Sequence, residues 1–333
     1  MSEPTSDDRA TDTPRPPRVV VGVDGSPGSR AALVYAWAAA ARRGADLEVV
    51  ATWSVQTVWV GGYPLGVPSI SAVREEMESR VQAMVDEVRG DPAVAAVPGA
   101  ADVRVTTAVS VGPAAQELVD ASADADLVVV GNRGRGAVRS VVLGSVALHC
   151  VTHARCPVVV VHPSSTGHAR RRPVIVGIDG SAASRAALLA GVAEAARLGT
   201  DVVAVTTYQM ADHWMALSTV VVPTAEEVRW DLQRGGEAML EDVLEEHRTG
   251  SGGRSPDARV VVAEGAPADI LGQWAAGAAL LVVGSRGHGA LRGLLLGSVA
   301  LACAMHASGA VMVVHPLPDR APTGTTQRAT VNA

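Results

Sequence analysis

The chain has 333 residues, a formal net charge of −6 and 48% hydrophobic but only 3% aromatic residues, with no phenylalanine; the length suits two domains and the core must be aliphatic. All 28 basic residues are arginine, which excludes chemistry that needs a lysine: a Walker A phosphate loop, a pyridoxal Schiff base or a kinase-type lysine. The acidic balance, with no clustered basic face, argues against gripping nucleic-acid backbones. Cys150, Cys156 and Cys303 are too few for a disulfide framework; they read as small buried hydrophobes and suit a reducing, cytoplasmic compartment.

Residues 1–17 are polar, with Asp7, Asp8 and Asp12 and no apolar stretch, and read as a disordered arm with no signal peptide. Short Val-rich runs at 19–23, 47–52, 103–109, 127–130 and 158–161 are continuous and β-branched, as buried parallel strands are. Helical patterns lie between them at Ser29–Arg42, Ser69–Arg89, Pro113–Ala123 and Gly144–His153. After a linker at 163–172, strands are predicted again near 174–178, 202–207, 259–263, 280–283 and 311–314, and 317–333 is a second disordered, Pro/Thr-rich tail. The uncharged stretch 293–318 is long enough to span a bilayer. Its counterpart in the first half carries charge, and Ser308-Gly309 marks a turn, so a buried helix, a turn and a buried strand explain it better.

The two halves are copies. VVVGVDGS (19–26) recurs as VIVGIDGS (174–181) and SRAAL (29–33) as SRAAL (184–188), both displaced by 155. LGSVAL (143–148) recurs at 296–301, displaced by 153, so the intervening loops differ little in length. The repeat defines domains at 18–162 and 173–316, each an alternating α/β unit with a parallel sheet covered by helices on both faces.

In such sheets ligands bind beyond the carboxyl ends of the strands, where strand order reverses. The fourth strand of the first copy is followed by GNRGRGAVRSVVLGS (131–145) and that of the second by GSRGHGALRGLLLGS (284–298). Both read Gly, two residues, Gly, nine residues, Gly-Ser. Glycines let main-chain N–H groups approach a phosphate and adopt positive φ, and a Gly-Ser at a helix start adds unpaired N–H donors and the helix dipole. Arg133, Arg135 and Arg139, and Arg286, His288 and Arg292, can supply positive charge. The plainer alternative is a connecting turn in which Ser145 is only an N-cap.

With these residues in view, the chain resembles a tandem universal stress protein of the ATP-binding subclass, over almost everything from Arg18 to Pro316. The resemblance implies two Rossmann-like domains, each a five-stranded parallel sheet of order 3-2-1-4-5, with ATP, accompanied by Mg²⁺, across its carboxyl edge. It places Gly131, Asn132, Arg133, Gly134, Arg135, Gly136, Ala137, Gly144 and Ser145 around the nucleotide in the first copy. Gly284, Ser285, Arg286, Gly287, His288, Gly289, Ala290, Gly297, Ser298 and Val299 take those places in the second. Gly22 with Asp24, and Gly177 with Asp179, close each first strand near the nucleoside, although Asp-Gly-Ser is also ordinary Asx-turn chemistry. The main chain around Trp53 and Tyr208 is expected to face adenine. Asn132 stands where Ser is commoner; Ala279 replaces the first copy's Asp126, and Gly309-Ala310 replace Cys156-Pro157.

Other signals are weaker. SGGRSP (251–256) lacks the Asp of a pyrophosphatase loop and follows a long helix rather than the first strand. His149 and His153 are spaced to share a helix face, but the second copy has Ala302 for the first of them. Trp59, Tyr63, Trp214 and Met215 lie in the 54–68 and 209–223 segments, as a lid, a partner surface or a local apolar cluster. No catalytic or metal-binding constellation is apparent.

The sequence thus reads as a cytoplasmic ATP-binding regulatory protein of stress or dormancy responses. It has up to two sites and no evolved catalysis beyond weak ATP hydrolysis, and contacts neither membrane nor nucleic acid. The alternatives are a nucleotide-using enzyme of the same fold and an interaction module with relic loops. The apolar last strands are expected to pair the two domains about a pseudo-twofold axis, and whole chains to form homodimers.

Overall fold

A computed structural model describes residues 15–53, 59–60, 63–64, 69–134, 143–163, 172–210, 223–251, 255–288 and 295–316, with backbone alone at 59–60, 63–64 and 251. The first domain contains β1 (Arg18–Gly22), α1 (Pro27–Arg43), β2 (Asp46–Trp53), a two-residue hairpin of β3 (Trp59–Val60) and β4 (Tyr63–Pro64), and α2 (Ile70–Arg89). It continues with α3 (Pro92–Ala95), β5 (Val105–Val111), α4 (Ala114–Ala121), β6 (Leu127–Gly131), α5 (Ser145–His153) and β7 (Val158–Val161). The second contains β8 (Val174–Gly177), α6 (Ala182–Leu198), β9 (Val202–Tyr208), α7 (Ala225–Ser251), β10 (Ala258–Glu264), α8 (Pro267–Ala275), β11 (Leu280–Gly284), α9 (Ser298–His306) and β12 (Val311–Val314). The third strand starts two residues later than its valine run suggested, because Val103 leads out of a short 3₁₀ turn (Ala100–Asp102).

Ten strands form one sheet in the order β10-β9-β8-β11-β12-β7-β6-β1-β2-β5, which is 3-2-1-4-5 read inward from either outer edge. The two last strands, edges in an isolated domain, meet there. β12 runs antiparallel to β7 with Met312 opposite Val159, while every other pairing in this sheet is parallel. Alternation along the strands splits the valines between two cores. Val19 and Val21 pack under α1, and Val20 faces α4 and α5, with matching residues of the second domain in the same two clusters. The apolar layers therefore run without a break through both domains.

Local chemistry explains where the elements start and stop. Ser26 caps α1 by accepting from the Ser29 N–H at 3.2 Å, and Pro27 occupies the first turn, where no N–H is needed. Gly44 ends the helix at φ 59°, and Gly199 ends α6 at φ 64° in the same way. The seam carries polar contacts too. Arg43 of α1 pairs with Glu194 of α6, both side chains 8% exposed, and Arg197 reaches the same carboxylate at 2.7 Å. His162, just beyond β7, places Nδ1 2.9 Å from the Gly309 carbonyl, which accepts if that nitrogen carries the proton. The uncharged 293–318 stretch contains α9, a turn and β12, and no helix among the described residues is long and apolar enough to cross a membrane.

Candidate functional site

The first domain holds a cavity of about 600 Å³ at the carboxyl edge of its strands, between β1, β2, β6 and the start of α5. This is where strand order reverses, because β2 and β6 leave β1 on opposite sides. Its walls include eight residues expected from the sequence: Gly22, Asp24, Trp53, Gly131, Arg133, Gly134, Gly144 and Ser145. Its apolar floor comes from Val50, Leu118, Val130 and Ala147, with Thr52 and Met77 at the side.

The floor was not singled out in the sequence. The signal was there, since Leu118 and Leu271 are one repeat apart. Each fills the space left by the strand-end glycine, so that a Cβ on Gly22 would meet Leu118 Cδ1 at 2.7 Å and one on Gly177 would meet Leu271 Cδ1 at 2.9 Å.

Backbone hydrogen bonds fold the glycine loop back on itself. The Asn132 N–H donates to the Val161 carbonyl at 2.9 Å, and the Gly144 N–H donates to the Asn132 carbonyl at 2.8 Å. The second domain repeats this with Ser285 N–H to Val314 and Gly297 N–H to Ser285, both 2.7 Å. The side chains of Asn132 and Ser285 themselves are buried. Arg135, Gly136, Ala137, Gly289 and Ala290, with Arg139 and Arg292, lie outside the described residues, as do most of the 54–68 and 209–223 segments and both terminal arms.

The glycines act differently from the expectation. None of Gly131, Gly134, Gly144, Gly284, Gly287 or Gly297 is among the glycines with positive φ. Close packing is the reason for them instead. A Cβ on Gly131 would stand 2.7 Å from the Gly28 main chain, and one on Gly284 the same distance from Ala183. On Gly134 and Gly287 it would collide with the carboxylates of Asp24 and Asp179.

Those two aspartates do form Asx turns. Asp24 accepts from the Ser26 N–H at 3.0 Å, and Asp179 from the Ser181 N–H at the same distance. The second oxygen of Asp179 also accepts from the His288 N–H at 3.0 Å, which ties the turn after β8 to the glycine loop after β11. Burial raises the Asp179 pKa, but the hydrogen bonds from Ser181, His288 and Ser184 outweigh it and hold the carboxyl below its ordinary value.

Ser145 is not an N-cap. Gly144 is the capping residue of α5, and with no side chain to offer, it leaves the first-turn N–H groups of that helix without a side-chain acceptor; Gly297 does the same for α9. An anion in the cavity would therefore meet N–H donors that the capping residue does not bond, the positive end of a helix dipole and the Ser145 hydroxyl. At the far end, the Trp53 carbonyl already accepts from Gly112 at 3.1 Å and the Tyr208 carbonyl from Gly265 at 2.9 Å, while the Tyr208 hydroxyl lies 3.4 Å from Glu264.

Two other sets of side chains do not line this cavity. Burial pushes the thiols of Cys150, Cys156 and Cys303 up to about 12, so all three remain protonated at neutral pH. The rings of His149 and His153 stack with centroids 4.3 Å apart, and the described residues contain no group of three metal ligands.

Residues 17–162 and 170–315 each match the universal stress protein family. A universal stress protein of Mycolicibacterium smegmatis is 36% identical over 304 residues, covering 90% of this chain and 97% of its own. One from Mycobacterium tuberculosis is 35% identical over 308 residues, covering 89% and 96%. The crystal structure of a universal stress protein from Archaeoglobus fulgidus superposes with a TM-score of 0.58 at 19% identity, covering 90% of this chain and 98% of that one, and so shares the fold. Duplicated sheets of order 3-2-1-4-5, matched glycine loops and relatives aligned over nearly their whole length lead to one conclusion: the chain belongs to the universal stress protein family.

Proposed function

We propose that the cavity of the first domain binds ATP, that the corresponding edge of the second domain does so too, and that the protein is a regulator in a stress response rather than an enzyme. The observation that carries this reading is the uncapped start of α5, with Gly144 and Ser145 opening onto an apolar-floored cavity of about 600 Å³. That volume is ordinary for a small-molecule site. The triphosphate would lie against the α5 N-terminus and the 131–134 backbone, with Arg133 adding charge, and the base and ribose against Leu118, Thr52 and Trp53. Because the Trp53 carbonyl is already engaged, the base would be held more by apolar contact than by main-chain hydrogen bonds.

The donor set does not include a dedicated metal cage. Both Asp179 oxygens accept backbone N–H groups, so Mg²⁺ would arrive on the phosphates and keep most of its water. Asp24 and Asp179 are held as loop braces, and among the described residues no other side chain lining the cavity is a carboxylate or histidine that could activate a water, which favours binding over turnover. The buried, unpaired cysteines fit the expected cytoplasmic location. Homodimers would have to use β5, β10 or a helical face, because β7 and β12 consume each other within the chain.

The test is to denature freshly purified protein, identify any released ligand by mass spectrometry, and titrate the ligand-free protein with ATP and Mg²⁺ by calorimetry. Adenine nucleotide approaching two per chain supports the reading. No released nucleotide and no heat of binding at millimolar ATP overturns it.

A further inference from the structure

We infer that the two sites of one chain are energetically coupled, each acting on the other through a histidine at the seam between the domains; this rests on the ATP-binding reading above. The first glycine loop is bonded to the end of β7 through Asn132 and Val161. The next residue, His162, is 6% exposed and leaves its own domain to reach the Gly309 carbonyl between α9 and β12. Its ring also faces the main chain of Ala304 and Met305 in α9. α9 is the helix whose N-terminus, at Ser298, bounds the second site.

The reverse path has the same construction. Ser285 of the second glycine loop is bonded to Val314, the next residue is His315, and its ring lies against Val151 and Thr152 of α5. α5 begins at Ser145 in the first site. Each of these helices therefore has one end at its own domain's anion position and the other against a histidine attached to the partner domain's loop.

A phosphate that seats against the start of α5 shifts or stiffens that helix. The shift is felt by His315 and so by the loop at Ser285, and the mirror path runs through His162. Where two binding sites are coupled, the effect typically amounts to roughly 5- to 150-fold in affinity. The two paths are unequal, because His162 makes a hydrogen bond to Gly309 whereas the His315 ring nitrogens lie against the Thr152 and Val151 main chain without a bond of good geometry among the described residues.

The test uses calorimetric titration of the full chain with ATP and Mg²⁺. Ser145→Asp and Ser298→Asp each block one site with a carboxylate, giving single-site isotherms. In the wild type, the stepwise affinities should depart at least about fivefold from the sum of those isotherms, and in His162→Ala/His315→Ala the sum should reproduce the titration. Should His162→Ala fail to fold, His162→Leu with His315→Ala makes the same comparison, because leucine fills the space without a donor for Gly309. A wild-type isotherm equal to the sum, or a departure that survives both histidine changes, overturns the coupling while leaving ATP binding intact. Absence of any ATP binding overturns the site reading and the coupling with it.

Discussion

Gly131 and Gly28 touch through their backbones: a side-chain carbon on Gly131 would stand 2.7 Å from the carbonyl carbon and oxygen of Gly28. The first glycine of the loop thus seats the strand end against the first turn of α1, whereas Gly144, with ordinary space around it, opens the helix that faces the cavity.

Substitutions at the two positions should separate stability from binding. Gly131→Ala overpacks a main-chain contact and is expected to cost about 1–3 kcal/mol. Gly144→Ala meets its nearest neighbour, the Asn132 carbonyl, at 3.5 Å and φ −70°, so it should cost about 1 kcal/mol or less, as a change of capping residue does. Urea unfolding of the two variants side by side checks the order, and the reverse order would contradict the packing role of Gly131.

Across the seam, Glu194→Ala leaves Arg43 buried without its carboxylate, a change expected to cost about 3–5 kcal/mol. Replacing both residues together, as Arg43→Met/Glu194→Leu, should recover most of that loss, since apolar pairs of similar volume often replace buried ion pairs at little cost. Denaturant midpoints for Arg43→Met, Glu194→Leu and the double form the cycle that measures it.

Acid should loosen the chain through the seam histidines. Burial lowers the pKa of His162, whose neighbours are the Gly309, Met305 and Ala304 main chain and the Arg133 cation, and of His315, which faces Thr152, Val151, Arg286 and His153. The unfolded chain then takes up protons that the native chain refuses. Stability is unaffected above the ordinary histidine pKa of about 6.5 and falls as pH drops from there toward the lowered native values, by at most about 1.4 kcal/mol per pH unit for each histidine. His162→Asn/His315→Asn should flatten that part of a stability-versus-pH curve.

Asp179→Asn tests the loop brace. An amide cannot accept at both positions where Ser181 and His288 donate at 3.0 Å, so one N–H is left facing an NH₂. With a half-exposed side chain the loss should be about 1 kcal/mol, and amide exchange at His288 should quicken while the exchange of core strands such as β11 stays unchanged.

Much of this was legible before any coordinates. Periodicity and the offsets of 155 and 153 located strands and helices and the loops that meet at the cavity, because valine runs and glycine spacings are local signals. Leu118 and Met77 were not, because a floor residue differs from any other core leucine or methionine only by what lies above it. The glycine loops follow the fourth strand of each domain as the spacing suggests, but their glycines do not take the positive φ expected of them: sequence shows that a glycine is present, but whether φ or a neighbouring backbone demands it depends on partners a hundred residues away. The seam was anticipated through its last strands. His162 and His315 were not, since their meaning arises only when one domain's strand end is set against the other domain's helix.

The antiparallel meeting of β7 and β12 also has a consequence for how the protein can evolve. Two copies of one single-domain chain joined this way would keep identical halves and would separate on dilution, whereas here the symmetric contact closes within one polypeptide and its strength is independent of concentration. Each half is then free to change alone. Glu264 beside Tyr208 in one half and Val111 beside Trp53 in the other, at matching places, show that the two edges have already parted in chemistry while keeping the same frame.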